Sequence, residues 1–536
     1  MIYASSSIAL GHTTSKIVVI NNGIRTQIHS VAALRRRTES IQRSVFMVHP
    51  LQAAQANVFL FCHARFTLDT ARGPTTRIFK KEASLLPVMP FDSLFERMAE
   101  QIEKKNATIG VVGIGYIGLP TAAILARTGF RVIGFDIDDS KVASLNRGEC
   151  YVEEPDLPRI VAGVVNAKRL IATTDFSMAE KCDVLMYCTQ TPLTTDQKPN
   201  IEILMSAVGS TVPHARDSVI VICESTVPPG TTRNIADMFL AAGRYELDKN
   251  FWAAHAPERV MPGRVVQEFR TNDRVIGGVT ESSAALARKL YETFLPPEKI
   301  VTTQAAVSEF AKLAENTFRD VNIALANELA IAAEALGIDI SEVIALANRH
   351  PRVNIHRPGI GVGGHCLPKD PVLLSFAVER LGARMDLIRV SRSINANMPL
   401  RAVDAIETIT ASASLVGAKV LILGTAFKEN VDDTRNSPSR VLIEELMRRG
   451  AHVRAHDPKT TELFGAEAVP SLADGVRWAD IVVLAVAHSE YLSELPKLDL
   501  TGKAFFDGRN AFSPKTLNSM VYRGVGRPAR VRPDVE

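Results

Sequence analysis

Short apolar runs recur along the chain, and stretches with helical spacing separate them. In the first half, five such runs lie at Thr108–Gly113, Arg131–Asp136, Val184–Cys188, Ser218–Cys223 and Phe251–Ala254. Short buried runs that alternate with helices predict the strands of βαβ units. We therefore expect an α/β domain with a doubly wound sheet over residues 89–303, beginning with an amphipathic helix directly after Met89.

The same alternation returns after residue 411. Apolar runs at Lys419–Gly424, His452–His456, Ile481–Val486 and Ala504–Asp507, with a helix at Arg440–Arg449, predict a second α/β domain over residues 412–536. The final segment from Ser513 is short and basic, and we expect it to be loosely held.

Between these halves, Ala305–Leu346 has helical spacing with few breakers before Gly337, and Val378–Thr410 is a second helical region. A helix of this length suits a central spacer and a dimer interface between two α/β halves. We assign residues 304–411 to a central helical domain that also carries a glycine-rich loop.

Polar side chains on the long helix fall close to one face. Lys312, Asn316, Arg319 and Asn327 are spaced at i, i+4, i+7 and i+15, which a period of 3.6 residues places near one another. A polar stripe on an otherwise apolar helix is costly unless it lines a site. Glu315 and Asp320, off the stripe, would suit a solvated face.

Residues 1–88 differ from the rest of the chain. They contain 11 Lys and Arg against three acids, without persistent periodicity. The segment resembles a transit segment, a nucleic-acid-binding arm or an over-extended gene model that precedes a start at Met89. We favour the last interpretation and expect a poorly ordered extension.

Composition excludes several classes of protein. Across 536 residues, 62 Lys and Arg nearly balance 58 Asp and Glu, which argues against nucleic acid as the main partner. Six cysteines without a C-x-x-C pair predict neither a disulfide framework nor a metal site, and they favour a reducing, cytoplasmic location. The sequence contains no run of 18 or more apolar residues, so it predicts no membrane span.

A G-x-G-x-x-G pattern follows the first apolar run. Gly113, Gly115 and Gly118 lie between that run and a helix, and Asp136 ends the next run about 20 residues later. The glycines permit a tight turn and close approach of a pyrophosphate to the helix N-terminus. Since Asp136 would accept from ribose hydroxyls and repel a 2′-phosphate, the pattern predicts NAD rather than NADP. A glycine turn without nucleotide is the alternative.

Polar residues also follow later strands, where the cofactor crevice is expected. These are Thr189, Thr191, Pro192, Glu224, Ser225 and Thr226. Glu258 and Arg259 lie at the edge of a further unit, where the acid would act on water or form a surface ion pair.

The loop PGIGVGGHCLPKDP, Pro358–Pro371, carries one cysteine, Cys366, behind four glycines. Glycine lets a backbone approach a ligand closely, and His365, Lys369 and Lys312 are candidate cations to favour the nucleophilic thiolate. A flexible loop with an incidental cysteine is the alternative.

Two cation-bearing segments point to an anionic substrate such as a diphosphate. The segment before the loop contains Arg349, His350, Arg352, His356 and Arg357. The turn after Gly424 lacks the glycine fingerprint, so Lys428 and Arg435 are expected to contact the substrate nucleotide rather than a second NAD.

Five motifs, GVVGIGYIGLP, CESTVPPGTT, FAKLAENTFRDVNIALANELA, GVGGHCLPKDP and FKENVDDTRNSPS, together resemble the UDP-glucose/GDP-mannose dehydrogenase family from about Lys104 to Asn510. The resemblance implies two Rossmann-like domains joined by a long central helix that forms a homodimer. NDRVIGG and LANRHPRVNIHRPG look most like the members that oxidise UDP-N-acetylmannosamine, and GHCLPKDP looks as much like the UDP-glucose enzymes.

The resemblance also implies residue roles. Cys366 matches the nucleophile, Lys312 and Asn316 the residues that polarise the substrate oxygen, and Asp370 the acid that supports Lys312. Glu258 and Thr226 match residues near the catalytic water, whereas Pro262 stands where some relatives carry a second acid. Arg352 matches an arginine donated across the dimer. The other implied cofactor contacts are Tyr116, Ile117, Thr191, Lys369 and Arg435, and the other implied substrate contacts are Arg259, Gly363 and Lys428.

The implied reaction removes four electrons from a primary alcohol, so two NAD are consumed. Cys366 would hold the intermediate aldehyde as a thiohemiacetal and then as a thioester, and the uronic acid would feed polysaccharide biosynthesis. The alternatives are a UDP-glucose or UDP-N-acetylglucosamine 6-dehydrogenase, a two-electron 3-hydroxyacid or 6-phosphogluconate-type dehydrogenase, and a non-catalytic NAD-binding protein. The two-electron enzymes and the non-catalytic protein need no cysteine.

Overall fold

The computed structural model describes residues 93–410 and 413–531, together with the backbone of two strands near the N-terminus. These strands, β1 (Ser5–Leu10) and β2 (Thr13–Val18), pair antiparallel in a unit of their own. Apart from these strands, the predicted extension over residues 1–88 lies outside the described residues.

The first large sheet has eight strands in the order β10-β9-β8-β7-β6-β3-β4-β5. Strands β3 to β8 run parallel, β9 is antiparallel to β8, and β10 is parallel to β9. The order reverses between β3 and β6, which opens a crevice at the carboxyl ends of these strands. The strands are β3 (Thr108–Val112), β4 (Arg131–Phe135), β5 (Leu170–Thr173), β6 (Val184–Tyr187), β7 (Val219–Cys223), β8 (Phe251–His255), β9 (Arg274–Gly278) and β10 (Ile300–Gln304).

Helices cover both faces of this sheet. One face packs around Trp252 and Tyr291, and the other around Tyr187 and Phe239, all fully buried. The helices are α1 (Ser93–Glu103), α2 (Gly118–Thr128), α3 (Asp139–Asn146), α4 (Leu157–Asn166), α5 (Glu202–Thr211), α6 (Thr231–Ala241), α7 (Val265–Glu268) and α8 (Glu281–Glu292).

The middle of the chain is helical. Its first helix has 32 residues, about 48 Å at 1.5 Å per residue, and ends at Gly337 in the left-handed region (φ 69°). It packs along the fourth helix of this part. The four are α9 (Ala305–Leu336), α10 (Ile340–Ala347), α11 (Asp370–Glu379) and α12 (Asp386–Thr408).

The second large sheet has the order β13-β12-β11-β14-β15-β16-β17, parallel except for β17. The strands are β11 (Lys419–Leu423), β12 (His452–His456), β13 (Glu467–Ala468), β14 (Ile481–Leu484), β15 (Ala504–Asp507), β16 (Val521–Gly524) and β17 (Arg530–Val531). The helices are α13 (Pro438–Arg448), α14 (Leu472–Trp478) and α15 (Ser489–Glu494).

The C-terminal segment corrects one expectation. We predicted that residues after Ser513 are loosely held, but β16 pairs with β15 and buries Tyr522. The Tyr522 hydroxyl donates to Asp507 over 2.8 Å. Alternation over only four residues is too short to distinguish such a strand from a basic tail.

The predicted fold class is confirmed as two Rossmann-like α/β domains joined by a long central helix. The domain boundaries at 303/304 and 411/412 stay predictions. Among residues 93–410 and 413–531, no helix is long and apolar enough to cross a membrane. The same residues contain no His, Cys, Asp and Glu group able to hold a metal.

Candidate active site

The glycine turn after β3 has the shape that a dinucleotide needs. Gly113 adopts φ 88°, and a Cβ on Gly118 would lie 1.8 Å from the Gly113 carbonyl oxygen, so both positions require glycine. A Cβ on Gly115 would meet nothing within 4 Å. Ile117 precedes α2 without a side-chain cap. The turn therefore leaves open space at a helix N-terminus, which favours a pyrophosphate.

Asp136 lies beside this turn. Its carboxylate accepts from the Ile114 amide (3.1 Å) and the Asp138 amide (3.1 Å). These bonds hold the acid next to the fingerprint, where the sequence predicted a ribose partner. The residues of this crevice thus fit NAD.

Tyr116 is tied to a different part of the crevice. Its hydroxyl donates to Glu154, whose carboxylate also accepts from the Gly263 amide (2.6 Å) and the Val265 amide (3.1 Å). Glu154 is 4% exposed. The buried acid links the glycine turn to the loop that follows Glu258, a contact that we did not predict.

The ends of β6 and β7 meet the crevice, with one exception. Thr191 donates to the Thr226 carbonyl (2.7 Å) and accepts from Lys369 (3.2 Å). We expected Glu224 near the cofactor as well, but it is fully buried and accepts from Tyr291 (2.7 Å). Its carboxylate therefore points into the core behind the turn.

The first half of α9 brings the predicted catalytic polar residues together. Asn316 donates to Asp370 (2.6 Å), and the Lys369 ammonium lies 2.8 Å from the same carboxylate. Lys312 lies 3.9 Å from Glu258, which accepts from the Val260 amide (2.7 Å). All five of these side chains are buried or nearly so. The charges of the two lysines and the two acids therefore interact in a low-dielectric environment.

The nucleophile loop packs against the second domain. The Gly364 amide donates to the Arg435 carbonyl (3.0 Å), and Asn436 donates to the Gly364 carbonyl (3.1 Å). A Cβ on Gly363 would lie 2.7 Å from the Asn436 carbonyl oxygen. We expected these glycines to face a ligand, but their missing side chains instead allow the second domain to pack closely against the loop. After Cys366, the loop turns back to the first domain through Lys369 and Thr191.

The electrostatics of Cys366 correct a second expectation. The residue is exposed and therefore accessible, yet enough protein surrounds the thiol that burial, with Asp370 and Glu258, raises its pKa to about 11. Lys312 and Lys369 only partly oppose this rise. Burial lowers the pKa of His365 to about 4, so His365 is neutral at pH 7 and is not one of the cations. Without a bound ligand, the Cys366 thiol is therefore protonated at pH 7.

The stripe on α9 is partly as predicted. Lys312, Asn316 and Asn327 are buried, but Arg319 is exposed and Asp320 is fully buried. Asp320 accepts from Arg392 (2.7 Å) and Asn395 (2.9 Å) of α12. The prediction of a solvated Asp320 was wrong because α12 covers this side of α9, a tertiary contact that periodicity does not reveal.

The remaining predicted residues lie around the rim. Arg259 pairs with Glu315 of α9, and Arg435 pairs with Asp433 (2.6 Å). Arg352 is exposed. Lys428 is partly buried in the loop after β11, and the described residues offer its ammonium no hydrogen bond or ion pair. Arg259 and Arg435 thus already have acidic partners, whereas Arg352 and Lys428 are open to an anion.

Comparison with known proteins identifies related sequences over most of residues 107–514. The NAD binding, central and UDP binding domains of the UDP-glucose/GDP-mannose dehydrogenase family match residues 107–295, 306–397 and 421–514. A UDP-N-acetyl-D-mannosamine dehydrogenase of Pyrococcus horikoshii is 41% identical over 425 residues, which cover 78% of this chain and 99% of that protein.

Two solved structures are similar as well. The structure of the UDP-D-ManNAc dehydrogenase from Pyrococcus horikoshii has a TM-score of 0.72 at 39% identity and covers 78% of this chain and 99% of its own. A UDP-glucose dehydrogenase from Pyrobaculum islandicum also has a TM-score of 0.72, at 28% identity, and covers 78% of this chain and 98% of its own. The predicted NAD cofactor is confirmed by the family's NAD binding domain.

Proposed function

Since the chain belongs to the UDP-glucose/GDP-mannose dehydrogenase family, we propose that it oxidises the C6 hydroxymethyl group of UDP-N-acetylmannosamine to the uronic acid. The observation that carries this proposal is the meeting of four charged side chains at one thiol. Lys312, Lys369, Asp370 and Glu258 all act electrostatically on Cys366. A two-electron dehydrogenase has no need for this thiol.

The residues divide the chemistry as follows. NAD bound at the glycine turn would take up one hydride from C6, and a second NAD that replaces the first NADH would take up the second. Cys366 attacks the aldehyde that remains after the first oxidation, which forms a C–S bond and moves the thiol proton to oxygen. The second oxidation leaves a thioester, and water then breaks the C–S bond and restores the thiol.

Lys312 and Asn316 stabilise the oxygen that gains negative charge during these steps. Asp370 accepts from the Asn316 amide and thereby fixes its orientation. We assign Glu258, 3.9 Å from the Lys312 ammonium, as the carboxylate next to the hydrolytic water, and Thr226 as a residue that helps to position this water. Arg435 and Lys428 contact the diphosphate end of the substrate.

Sequence identity to the relatives supports a hexosamine substrate. The structure of the mannosamine enzyme from Pyrococcus horikoshii is 39% identical to this chain, whereas the UDP-glucose enzyme of equal TM-score is 28% identical. Because both have this fold, the substrate choice lies in side chains at the pocket.

We also propose a cytoplasmic homodimer formed along α9. Val307, Ala311, Ala314, Phe318, Val321 and Leu325 follow a spacing of 4, 3, 4, 3 and 4 residues, which is the seam of a helix pair. Val307, Phe318 and Leu325 are 51%, 58% and 47% exposed, so the seam is open for a second copy. Arg352 would then reach the partner's substrate.

The test is a panel of UDP-sugars with NADH followed at 340 nm. We expect two NADH for each UDP-N-acetylmannosamine and less turnover with UDP-glucose or UDP-N-acetylglucosamine. Cys366→Ala should form no uronic acid, and Cys366→Ser should stop after one hydride or form none. One NADH per sugar, or acid formation by Cys366→Ala, would refute the four-electron mechanism.

A further inference from the structure

A chain of buried amides connects the middle of α9 to the start of the nucleophile loop. The Gly359 amide donates to Asn327 Oδ1 (3.0 Å), and Asn327 Nδ2 donates to Asn395 Oδ1 (2.9 Å). Asn395 Nδ2 then donates to the Asp320 carboxylate (2.9 Å) and carbonyl (3.0 Å). Asn327, Asn395 and Asp320 are each at most 1% exposed.

The direction of this chain is set at its acidic end. An ionised carboxylate and a carbonyl only accept hydrogen bonds, so Asn395 must turn its NH₂ group toward Asp320. Its oxygen then faces Asn327, which must present its own oxygen to Gly359. Arg392 secures the same end, because it donates to the Asp320 carboxylate over 2.7 Å. A flipped amide anywhere in the chain would place two donors or two acceptors together.

The same helix also holds the other end of the loop. Asn316, 11 residues before Asn327 and about 16 Å away along the helix, donates to Asp370 (2.6 Å). Cys366 lies between Gly359 and Asp370. The loop is therefore attached to α9 on both sides of the nucleophile.

We propose that Asn327 is a positioning residue for Cys366, held in its working orientation by Asn395 and the Asp320–Arg392 pair. The proposal rests on the proposed role of Cys366 as nucleophile. Loss of the Gly359 acceptor loosens the amino-terminal side of the loop, which then keeps the Gly364 contacts with Arg435 and Asn436, and the thiol moves into a more hydrated position.

The test is the pH dependence of Cys366 alkylation by iodoacetamide, with the modified residue located by mass spectrometry. In the wild type, burial and two carboxylates raise the pKa of Cys366 to about 11, so we expect an alkylation midpoint near pH 11. For Asn327→Ala, we expect the midpoint to move toward the ordinary value of 9, so the rate at pH 8 rises tenfold or more. In turnover, kcat falls at least tenfold, while the KM for NAD stays within twofold.

Two further variants make the outcome decisive. Asn395→Ala keeps the Gly359 acceptor but loses its orientation, so it shifts both readouts in the same direction by less. Tyr245→Phe loses a buried hydrogen bond to the Ala215 carbonyl (3.0 Å) at a remote site, and it should leave both readouts unchanged.

Unchanged midpoint and kcat in folded Asn327→Ala would overturn the proposal. If Asn327→Ala does not fold, Asn395→Ala decides the proposal by the same criteria. If neither variant folds, the proposal is overturned, and the chain of buried amides is required for folding instead. Alkylation requires no turnover, so a wild type that forms no acid would refute the proposed function alone.

Discussion

Glu309 connects the first turns of α9 to the start of α6. Gly230, which precedes α6, offers that helix no side-chain cap. The Glu309 carboxylate takes this place, accepting from the Gly230 amide (2.5 Å), the Thr232 amide (2.7 Å) and the Thr232 hydroxyl (2.6 Å). Glu309 and Thr232 are fully buried. We expect Glu309→Ala to destabilise the first domain strongly.

The magnitude follows from the donors that lose their acceptor. An unsatisfied buried donor costs about 1–3 kcal/mol, and such costs add incompletely, so the three together predict about 3–5 kcal/mol. Glu309→Gln keeps an oxygen for the Thr232 groups but turns its NH₂ toward the Gly230 amide. We therefore expect about 1–2 kcal/mol for this variant, near the cost of one unsatisfied donor.

Urea unfolding followed by fluorescence measures this effect. The two tryptophans are Trp252 and Trp478, so a Trp478→Phe background leaves Trp252, in the core of the first domain, as the reporter. A loss of 3–5 kcal/mol at an m-value of about 2–3 kcal/mol/M moves the midpoint down by about 1–2 M.

Thr280→Ala is the matched control for this experiment, since Thr280 caps α8 of the same domain through the Ser283 amide (3.1 Å). We expect about 1 kcal/mol for this ordinary cap. If Glu309→Ala shifted the Trp252 transition no further than Thr280→Ala does, the assignment of Glu309 as the cap of α6 would be refuted.

Three further outcomes are expected. Lys312→Met should lower kcat about 100-fold or more, the usual cost of one oxyanion donor, with the KM for NAD unchanged in initial-rate kinetics; equal activity would contradict its role. Burial lowers the pKa of His255 to about 3, below its unfolded value near 6.5, so its contribution to stability is lost as pH falls through 6.5. Relative to His255→Gln, the wild type should lose about 2 kcal/mol between pH 7 and pH 5, measured by urea unfolding, and parallel pH curves would contradict this. Phe318→Glu, on the α9 seam, should produce monomers in sedimentation velocity, whereas Phe294→Leu, away from the seam, should not; a dimeric Phe318→Glu would refute the seam.

The fold was predictable because its determinants are local. Each central strand of both sheets is a run of four or five buried residues, and the glycine fingerprint lies where a strand passes into a helix. The helical region predicted at Val378–Thr410 contains the end of α11 and the whole of α12, which are separated at residues 380–385, where Gly382 adopts φ 82°. Glycine in the left-handed region ends a helix, so that break has a local cause as well.

The sequence predicted which candidate residues would come together but not their charge states. The pattern identified Cys366, Lys312, Asn316 and Asp370, and the structure brings them together. It did not reveal that burial and two carboxylates raise the pKa of the Cys366 thiol more than two lysines lower it. That balance depends on distances between segments more than 50 residues apart, and spacing along one helix carries no information about them.

The residues that sequence reasoning missed share a physical cause. Asp320 was assigned to a solvated face, and Glu309 and Glu154 were not singled out, yet each of these acids is less than 5% exposed and accepts several hydrogen bonds. A buried carboxylate is stable only when donors surround it, and these donors come from distant loops. Two of the three lie on α9, and their partners are the entrance to α6 and the amides leading to Gly359. The central helix thus fixes loops on both sides of the reaction centre, so a displacement of α9 would disturb the loop after β7 and the nucleophile together.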